Sequence, residues 1–321
     1  MMISLAGAYD LLNLCVKSYV IVRIMKAVFV IFKSILIHYV SPEHDISDLK
    51  EMWTVVTGCT DGIGRAYIQE LAISRGMRKF FLIGRSVEKL RVVKIEMEER
   101  YGAEIKTHVF DFEKDHMEIL QETLKGLEVG ILVNCAGIAP HLVASHMELP
   151  DGLPSRILRV NLLSTVKMIE TVMPGMVQRN RGIIVNMSSI TGWRPLPYMS
   201  AYPASKAAIN FFSDALRDEL KHTNVRVQCL IPLLVATKIA SYSPEDEPSV
   251  LVVSAKDYVR QAVRIIGKSS PTTGCVTHDV EVALASLIGF WTFKQVFVPF
   301  GILGIHRKRV ADYAKRMKLD G

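Results

Sequence analysis

Trp53-Thr54-Val55-Val56-Thr57-Gly58-Cys59-Thr60-Asp61-Gly62-Ile63-Gly64 is the stretch on which the reading of the chain turns. Its first five residues are β-branched or aromatic, the composition of a buried strand. Three glycines follow, and then a helical pattern. Glycine lets a backbone turn tightly and come close to a phosphate. A helix starting there offers free N–H groups and the positive end of its dipole. A glycine triplet alone is weak, but this strand–turn–helix setting is the one a dinucleotide pyrophosphate requires. Gly58, Thr60, Asp61, Gly62, Ile63 and Gly64 are the first candidate cofactor contacts.

Working outward, short apolar runs alternate with helical patterns. Strands are expected at Trp53–Thr57, Lys79–Ile83, Ile105–Phe110, Gly130–Asn134, Gly182–Met187 and Arg226–Ile231. Helices are expected at Ser86–Tyr101, Leu153–Val177 and Tyr202–His222. Such an alternation makes a parallel sheet covered on both faces. The fold class is α/β, a Rossmann-type doubly wound sheet in a single catalytic domain.

The second strand ends Ile83-Gly84-Arg85-Ser86, with no Asp or Glu from 82 to 87. Arg85 lies 21 residues after Gly64, near where an NAD-binding fold sets an acid against the ribose 2′-hydroxyl. A guanidinium there complements a 2′-phosphate, so NADP(H) is expected rather than NAD(H). The plainer alternative is a surface charge at a helix start. Arg65 could add positive charge or simply face solvent.

Tyr202-Pro203-Ala204-Ser205-Lys206 opens another helical pattern, which puts Tyr202 and Lys206 on one face. A phenol of pKa ~10 is a poor proton carrier at neutral pH without a cation to stabilise its phenolate. Lys206 can supply that cation and can also bind a nicotinamide ribose. Ser189, thirteen residues before Tyr202 and just past an expected strand, is placed to polarise a carbonyl. Tyr-x-x-x-Lys is common by chance; together with the glycine turn and the serine it is a strong signal.

Across residues ~50 to 240 the chain resembles the short-chain dehydrogenase/reductase family. The resemblance rests on Thr57-Gly58 with Gly62-Ile63-Gly64, Asp111 after the third strand, Ala136-Gly137, Asn161, Ser189 with Tyr202 and Lys206, and Pro232 through Thr237. It implies that Tyr202 gives or takes the proton, Lys206 lowers its pKa, Ser189 orients the carbonyl and Asn161 holds a relay water. It also implies that Asp111 meets adenine and Thr237 the carboxamide. Two departures stand out. Cys135 replaces the usual asparagine before Ala136-Gly137, and Leu233 follows Pro232 where many members have glycine. That asparagine normally braces the sheet beside the cofactor. Cys135 is read as a small buried hydrophobe.

Pro232-Leu233-Leu234-Val235-Ala236-Thr237 is similar to one subgroup, the membrane-bound branch of very-long-chain 3-oxoacyl-CoA reductases and microsomal-type 17β-hydroxysteroid dehydrogenases. Thr60-Asp61-Gly62-Ile63-Gly64, Val129 through Asn134, Pro174-Gly175-Met176-Val177 and Thr272-Thr273-Gly274 extend the likeness. The function this implies is NADPH-dependent reduction of a ketone on a lipid-like substrate, a 17-ketosteroid or a long-chain 3-oxoacyl-CoA. The alternative is a weakly active or inactive NADPH- and lipid-binding relative.

Residues 1–42 are read as a membrane-associating segment. From Leu11 to Pro42 there is no acid, while Lys17, Arg23, Lys26 and Lys33 interrupt apolar runs shorter than the ~20 residues of a membrane span. At about 100° per residue, Arg23, Lys26 and Lys33 share an arc, the pattern of a basic helix lying in a membrane interface. A tilted span, a mitochondrial presequence and a helix packed on the body are the alternatives. Residues 43–51 read as a linker, 52–280 as the NADP-binding domain and 281–321 as an apolar, then basic extension. In that extension, Val282 to Ile305 suits an interfacial segment, a substrate lid or a core helix equally. The basic tail (His306, Arg307, Lys308, Arg309, Lys315, Arg316, Lys318) suits anionic headgroups or a solvated face.

The net charge of +7 fits polyanionic cofactors, CoA esters or anionic lipid, and no nucleic-acid motif accompanies it. Five scattered cysteines without paired spacing argue against a zinc site or a disulfide scaffold. His108, His116, His141 and His146 lack metal-ligand spacing, so no metal is expected. Glu245 to Pro248 belongs to a substrate-covering loop whose acids face water, and Trp291 to Phe300 suits a lipid pocket or plain packing. The expected partners are a lipid-like substrate and a membrane surface, with a homodimer left open. The expected location is the endoplasmic reticulum membrane with the catalytic domain facing the cytosol, or else the mitochondrion.

Overall fold

The computed structural model describes residues 5–242, 251–268, 270–288 and 295–319. Six parallel strands form the central sheet: β1 (Trp53–Thr57), β2 (Lys79–Gly84), β3 (Glu104–Val109), β4 (Val129–Asn134), β5 (Gly182–Met187) and β6 (Val225–Leu230). Their order is β3-β2-β1-β4-β5-β6. The order reverses between β1 and β4, which opens a crevice at the carboxyl ends of the strands, the place where such sheets bind ligands.

The helices α2 (Gly62–Ser74), α3 (Val87–Tyr101), α4 (Met117–Leu124), α5 (Leu153–Leu158), α6 (Ser164–Gln178), α7 (Ala201–Glu219) and α8 (Ala255–Arg264) cover both faces. Side chains alternate across the pleat, so neighbours in β1 serve different layers. Val56 joins Tyr67, Leu71, Leu90 and Tyr258 on one side. Val55 joins Leu120, Met168, Val172 and Leu216 on the other. Each such buried aliphatic side chain contributes about 1.5–3 kcal/mol relative to exposure. Local signals agree with this packing: Ser86 caps α3 by accepting from the Lys89 N–H at 3.3 Å, and left-handed Gly102 ends it.

One rung of the sheet runs Ile83, Thr57, Asn134, Asn186 and Cys229. Asn134 Nδ2 donates to Asn186 Oδ1 at 2.9 Å, and Asn186 Nδ2 donates to Ser213 Oγ of α7 at 2.9 Å. This buried chain of amides ties β4, β5 and α7 together just beneath the crevice.

The expected single helix over Leu153–Val177 is interrupted. Between α5 and α6, Arg159–Leu163 forms a π turn, with Asn161 buried inside it. Residues 43–51, read as a linker, carry Ile46 and Leu49 into the main core.

The N-terminal helix α1 (Leu5–Ile35) continues as a π turn through Val40 and packs along α9 (Val276–Ser286). Its docked face is small and polar: Ala27, Ser34 and His38 are buried, and Arg23 donates to the carbonyl oxygens of Ser286 and Ile288. Arg23 therefore faces the body, while Lys26 and Lys33 remain exposed. Leu12, Leu14, Val20, Met25, Phe29 and Phe32 also stay exposed. No helix among the described residues is long and apolar enough to cross a membrane.

At the other end a π-helical segment, Phe297–His306, leads into a helix over Arg307–Leu319. Ile302 and Val310 pack against Val143, Leu196 and Met199 of the loops that flank the crevice. Of the basic tail, Arg309 turns inward to donate to Tyr242 Oη at 2.7 Å, and Arg307 and Lys308 are exposed. Residues Glu245 to Pro248 and Trp291 to Lys294 lie outside the described residues.

Candidate active site

Asn161, Ser189, Tyr202 and Lys206 come from three separate segments and meet at the carboxyl edge of β4 and β5. The π turn aims Asn161 inward, as such turns do at functional positions. Its Oδ1 accepts from the Ile138 N–H at 2.8 Å, and its Nδ2 donates to the Ile138 carbonyl at 3.0 Å and to Ser205 Oγ at 3.2 Å. Both main-chain groups of Ile138 are thus held by one side chain.

Ser189 follows β5 and opens the 3-10 turn Ile190–Trp193. Its Oγ accepts from the Thr191 N–H at 3.3 Å and from Thr191 Oγ1 at 3.0 Å. The Ser189 hydroxyl also lies beside Tyr202 and favours its phenolate. Burial nevertheless dominates and pushes the Tyr202 phenol up to about 12. Lys206 is buried, donates to the Met187 carbonyl at 2.9 Å and lies 5.7 Å from the centroid of the Tyr202 ring. Its ammonium is turned to that carbonyl, and burial pushes it down to about 8.

The glycine turn fits a dinucleotide phosphate. Gly58 has φ +65°, and a Cβ there would stand 2.8 Å from the backbone of Ala136. A Cβ on Gly64 would run into the Gly58 carbonyl oxygen. Only glycine packs the turn this tightly, which leaves the N-terminus of α2 open to an anion. Thr60 lies beside Gly84, and partly exposed Ile63 packs on the core. Arg85 is exposed at the end of β2 and forms no ion pair with a described residue. Arg65 instead pairs with Glu96 at 2.5 Å. Asp111 sits past β3, where its Oδ1 accepts from the Glu113 N–H at 3.0 Å. Thr237 lies over the turn, its methyl 3.1 Å from where a Gly62 Cβ would stand. Among the described residues no group of side chains could hold a metal ion.

The pattern of the short chain dehydrogenases matches residues 52–248. The chain belongs to that family.

Three relatives and one solved structure place this short-chain dehydrogenase more closely. It is 36% identical over 297 residues to the very-long-chain 3-oxoacyl-CoA reductase of Mus musculus, with 92% of each chain covered. It is 38% identical over 243 residues to human 17-beta-hydroxysteroid dehydrogenase type 3, covering 75% of this chain and 76% of that one. An uncharacterized oxidoreductase of Caenorhabditis elegans, dhs-27, is 56% identical over 179 residues. That match takes in 56% of this chain and only 22% of the longer worm protein. The short-chain dehydrogenase from Sphingobium yanoikuyae in complex with NADPH superposes with a TM-score of 0.60 at 26% identity, covering 66% of this chain and 83% of that one. These relatives bear out the expected branch.

Sequence reasoning picked out several further residues of this short-chain dehydrogenase site without showing what they bond. Thr57 Oγ1 accepts from the N–H groups of Cys135 and Ala136 at 3.1 and 3.0 Å, which fixes the turn leading to Gly137. Asn134, through Asn186, braces the strands beside that turn. Cys135 packs against the main core, and burial pushes its thiol up to about 11, the state of an inert hydrophobe. Asp61, expected to touch cofactor, caps α2 by accepting from the Gly62 N–H at 2.9 Å and pairs with Lys238 at 2.7 Å.

Proposed function

We propose that this chain is an NADPH-dependent reductase that converts the ketone of a lipid-like substrate to an alcohol, with Tyr202 as general acid. The observation that carries the reading is a half-buried Tyr202 whose phenol lies beside the Ser189 hydroxyl, with the buried Lys206 alongside. A phenol held near 12 is protonated throughout the neutral range, the state that donates to a carbonyl oxygen and so serves reduction.

The turn at Gly58, Gly62 and Gly64 would hold the pyrophosphate and Arg85 the 2′-phosphate. Asp111 would meet the adenine, Ala136 and Gly137 would line the ribose, and Thr237 would take the carboxamide. When bound, NADPH supplies the hydride for the carbonyl carbon. Ser189 polarises the carbonyl oxygen and Tyr202 protonates it. The charge left on Tyr202 is stabilised by the Ser189 hydroxyl and the Lys206 ammonium. Lys206 returns the proton, and Asn161 steadies the Ile138 backbone beside it, in reach of a relay water.

The substrate class follows from apolar walls and from the names of the relatives. Ile138, Leu149, Leu153 and Ile157 cluster with Tyr202, and Val143, Leu196, Met199 and Ile302 form a second, buried apolar cluster. A long-chain 3-oxoacyl-CoA and a 17-ketosteroid are the two candidate ketones. The exposed apolar side chains of α1 favour a membrane surface as the working environment, at the endoplasmic reticulum with the catalytic domain in the cytosol. A homodimer is compatible with this arrangement.

The test is NADPH oxidation by the detergent-solubilised protein with long-chain 3-oxoacyl-CoAs and with estrone, beside Tyr202→Phe. Turnover lost in the variant supports the reading, and the substrate that turns over selects the class. Turnover that survives in Tyr202→Phe removes the proposed acid.

A further inference from the structure

A carboxylate at the mouth of a pyrophosphate site is an anomaly that calls for a counter-charge. Asp61 occupies the first position before α2, where N–H groups and the helix dipole favour an anion. Its Oδ1 already accepts from Gly62 N–H at 2.9 Å, so it takes up one of those donors and adds a negative charge beside the others. The phosphates of a dinucleotide would meet repulsion there unless a cation stood between.

The structure supplies that cation from a distant part of the chain. Lys238 Nζ stands 2.7 Å from Asp61 Oδ2. It follows directly on Thr237, whose methyl lies over Gly62. The backbone around it is fixed: the N–H groups of Ala240 and Tyr242 both donate to the Thr237 carbonyl, at 3.0 and 3.1 Å, and Ser241 closes the turn with φ +60°. Arg309 holds Tyr242 from the far side by a hydrogen bond of 2.7 Å and by stacking 4.6 Å from its ring centroid. The loop is thus tethered at one end to the C-terminal helix and at the other to the glycine turn.

We propose that Lys238 is a pyrophosphate ligand, held over the N-terminus of α2 by Asp61 and shared between that carboxylate and the cofactor's phosphates once they bind. The proposal rests on the dinucleotide reading of the glycine turn. The ion pair itself is half-exposed on both sides, and pairs of that kind add little to stability. Lys238 is therefore free to divide its donors: an ammonium has three, and Asp61 uses one. The Asp61 carboxyl lies below its usual range; burial opposes this, and the Lys238 hydrogen bond and the Gly62 N–H outweigh it. Asp61 is accordingly charged when the cofactor arrives.

The experiment is a fluorescence titration of the full-length, detergent-solubilised protein with NADPH and with NADH, without substrate. Lys238→Gln is expected to raise Kd about tenfold for both nucleotides, the size of one lost charge-assisted hydrogen bond, because both carry the pyrophosphate. Lys238→Arg is expected to stay within about threefold of the parent, since it retains the charge. Asp61→Asn keeps a good helix cap and, added to Lys238→Gln, is expected to recover most of the lost affinity by removing the repulsion. An unchanged Kd in Lys238→Gln overturns the assignment, and so does a loss confined to NADPH, which would move the lysine to the 2′-phosphate. If the parent protein binds neither nucleotide, the dinucleotide reading fails instead, a result separate from failure of the lysine.

Discussion

Gly192 lies so close to Lys206 that a Cβ on the glycine would stand 2.6 Å from the lysine's carbonyl carbon and 2.7 Å from the Ala207 nitrogen. The Gly192 N–H also donates to the Ser189 carbonyl at 3.0 Å. Through this one residue the turn bearing Ser189 rests directly on the backbone of α7, which fixes the serine relative to Tyr202 and Lys206.

Gly192→Ala should therefore push the serine turn off α7. The expected result is a fall in kcat of about 10²-fold, the usual penalty for displacing a reacting group by roughly an ångström. The glycine turn is elsewhere, so NADPH affinity by titration should stay within about twofold. Equal losses in kcat and in nucleotide affinity would show a general disturbance instead.

On the proposed mechanism, Lys206 sets the alkaline limit of reduction. Burial holds it near 8, below the usual lysine range, so it carries its charge below that pH and loses it above. Tyr202, near 12, keeps its proton throughout, so the acid itself is not lost. The rate should be flat below about pH 7 and drop about tenfold per unit beyond 8 as the cation that stabilises the phenolate disappears. In Lys206→Arg, whose guanidinium does not titrate in this range, whatever activity remains should lack that break.

On the proposed function, Arg85 is the residue that discriminates between the two nicotinamide dinucleotides. It is exposed and forms no ion pair with a described residue, so Arg85→Ala should leave the melting temperature unchanged. NADPH affinity should fall roughly 10- to 100-fold, with that for NADH unaltered, because only the 2′-phosphate loses a charge-assisted partner. Equal weakening of both nucleotides would assign Arg85 to a shared part of the cofactor.

Asp279 fastens the N-terminal helix to the body. Its Oδ2 accepts from Ser34 Oγ at 2.6 Å and its Oδ1 from Thr273 Oγ1 at 2.7 Å, with His38 Nε2 3.8 Å away. Asp279→Ala removes the acceptor of the buried Ser34 hydroxyl and the carboxylate facing His38, a loss of about 2 kcal/mol. Trypsin should then cut faster near Lys33 and Lys50, followed by gel, while the catalytic body stays intact.

Strand positions were legible because each strand is a short β-branched run closed by polar or glycine residues, and β1 and β5 fall where the pattern placed them. The candidate site was legible as a grouping, since Asn161, Ser189, Tyr202 and Lys206, picked out by residue type and spacing, do come together at the sheet edge. The π turn at Asn161 left no trace, since Arg159-Val160-Asn161-Leu162-Leu163 contains neither glycine nor proline. Gly192 reads as any loop glycine until α7 is laid against it. The Asp61–Lys238 pair depends on a loop returning over the sheet, a tertiary fact with no local signal. In α1 the arc of Arg23, Lys26 and Lys33 expected from the charge pattern is split, because docking on α9 selects the small and polar side chains Ala27, Ser34 and His38 and turns Arg23 inward.

The π turn has one more consequence, for the permitted length of the chain. An extra residue in a helical turn offsets everything after it by about 100°. Removing any single residue from 159–163 would restore a regular helix at the cost of rotating either α5 or α6 by that amount. Asn161 would swing off Ile138, or the apolar stripe of Met168, Val172 and Met176 would leave the sheet. Both cannot be kept in a shorter segment, so this stretch admits no deletion.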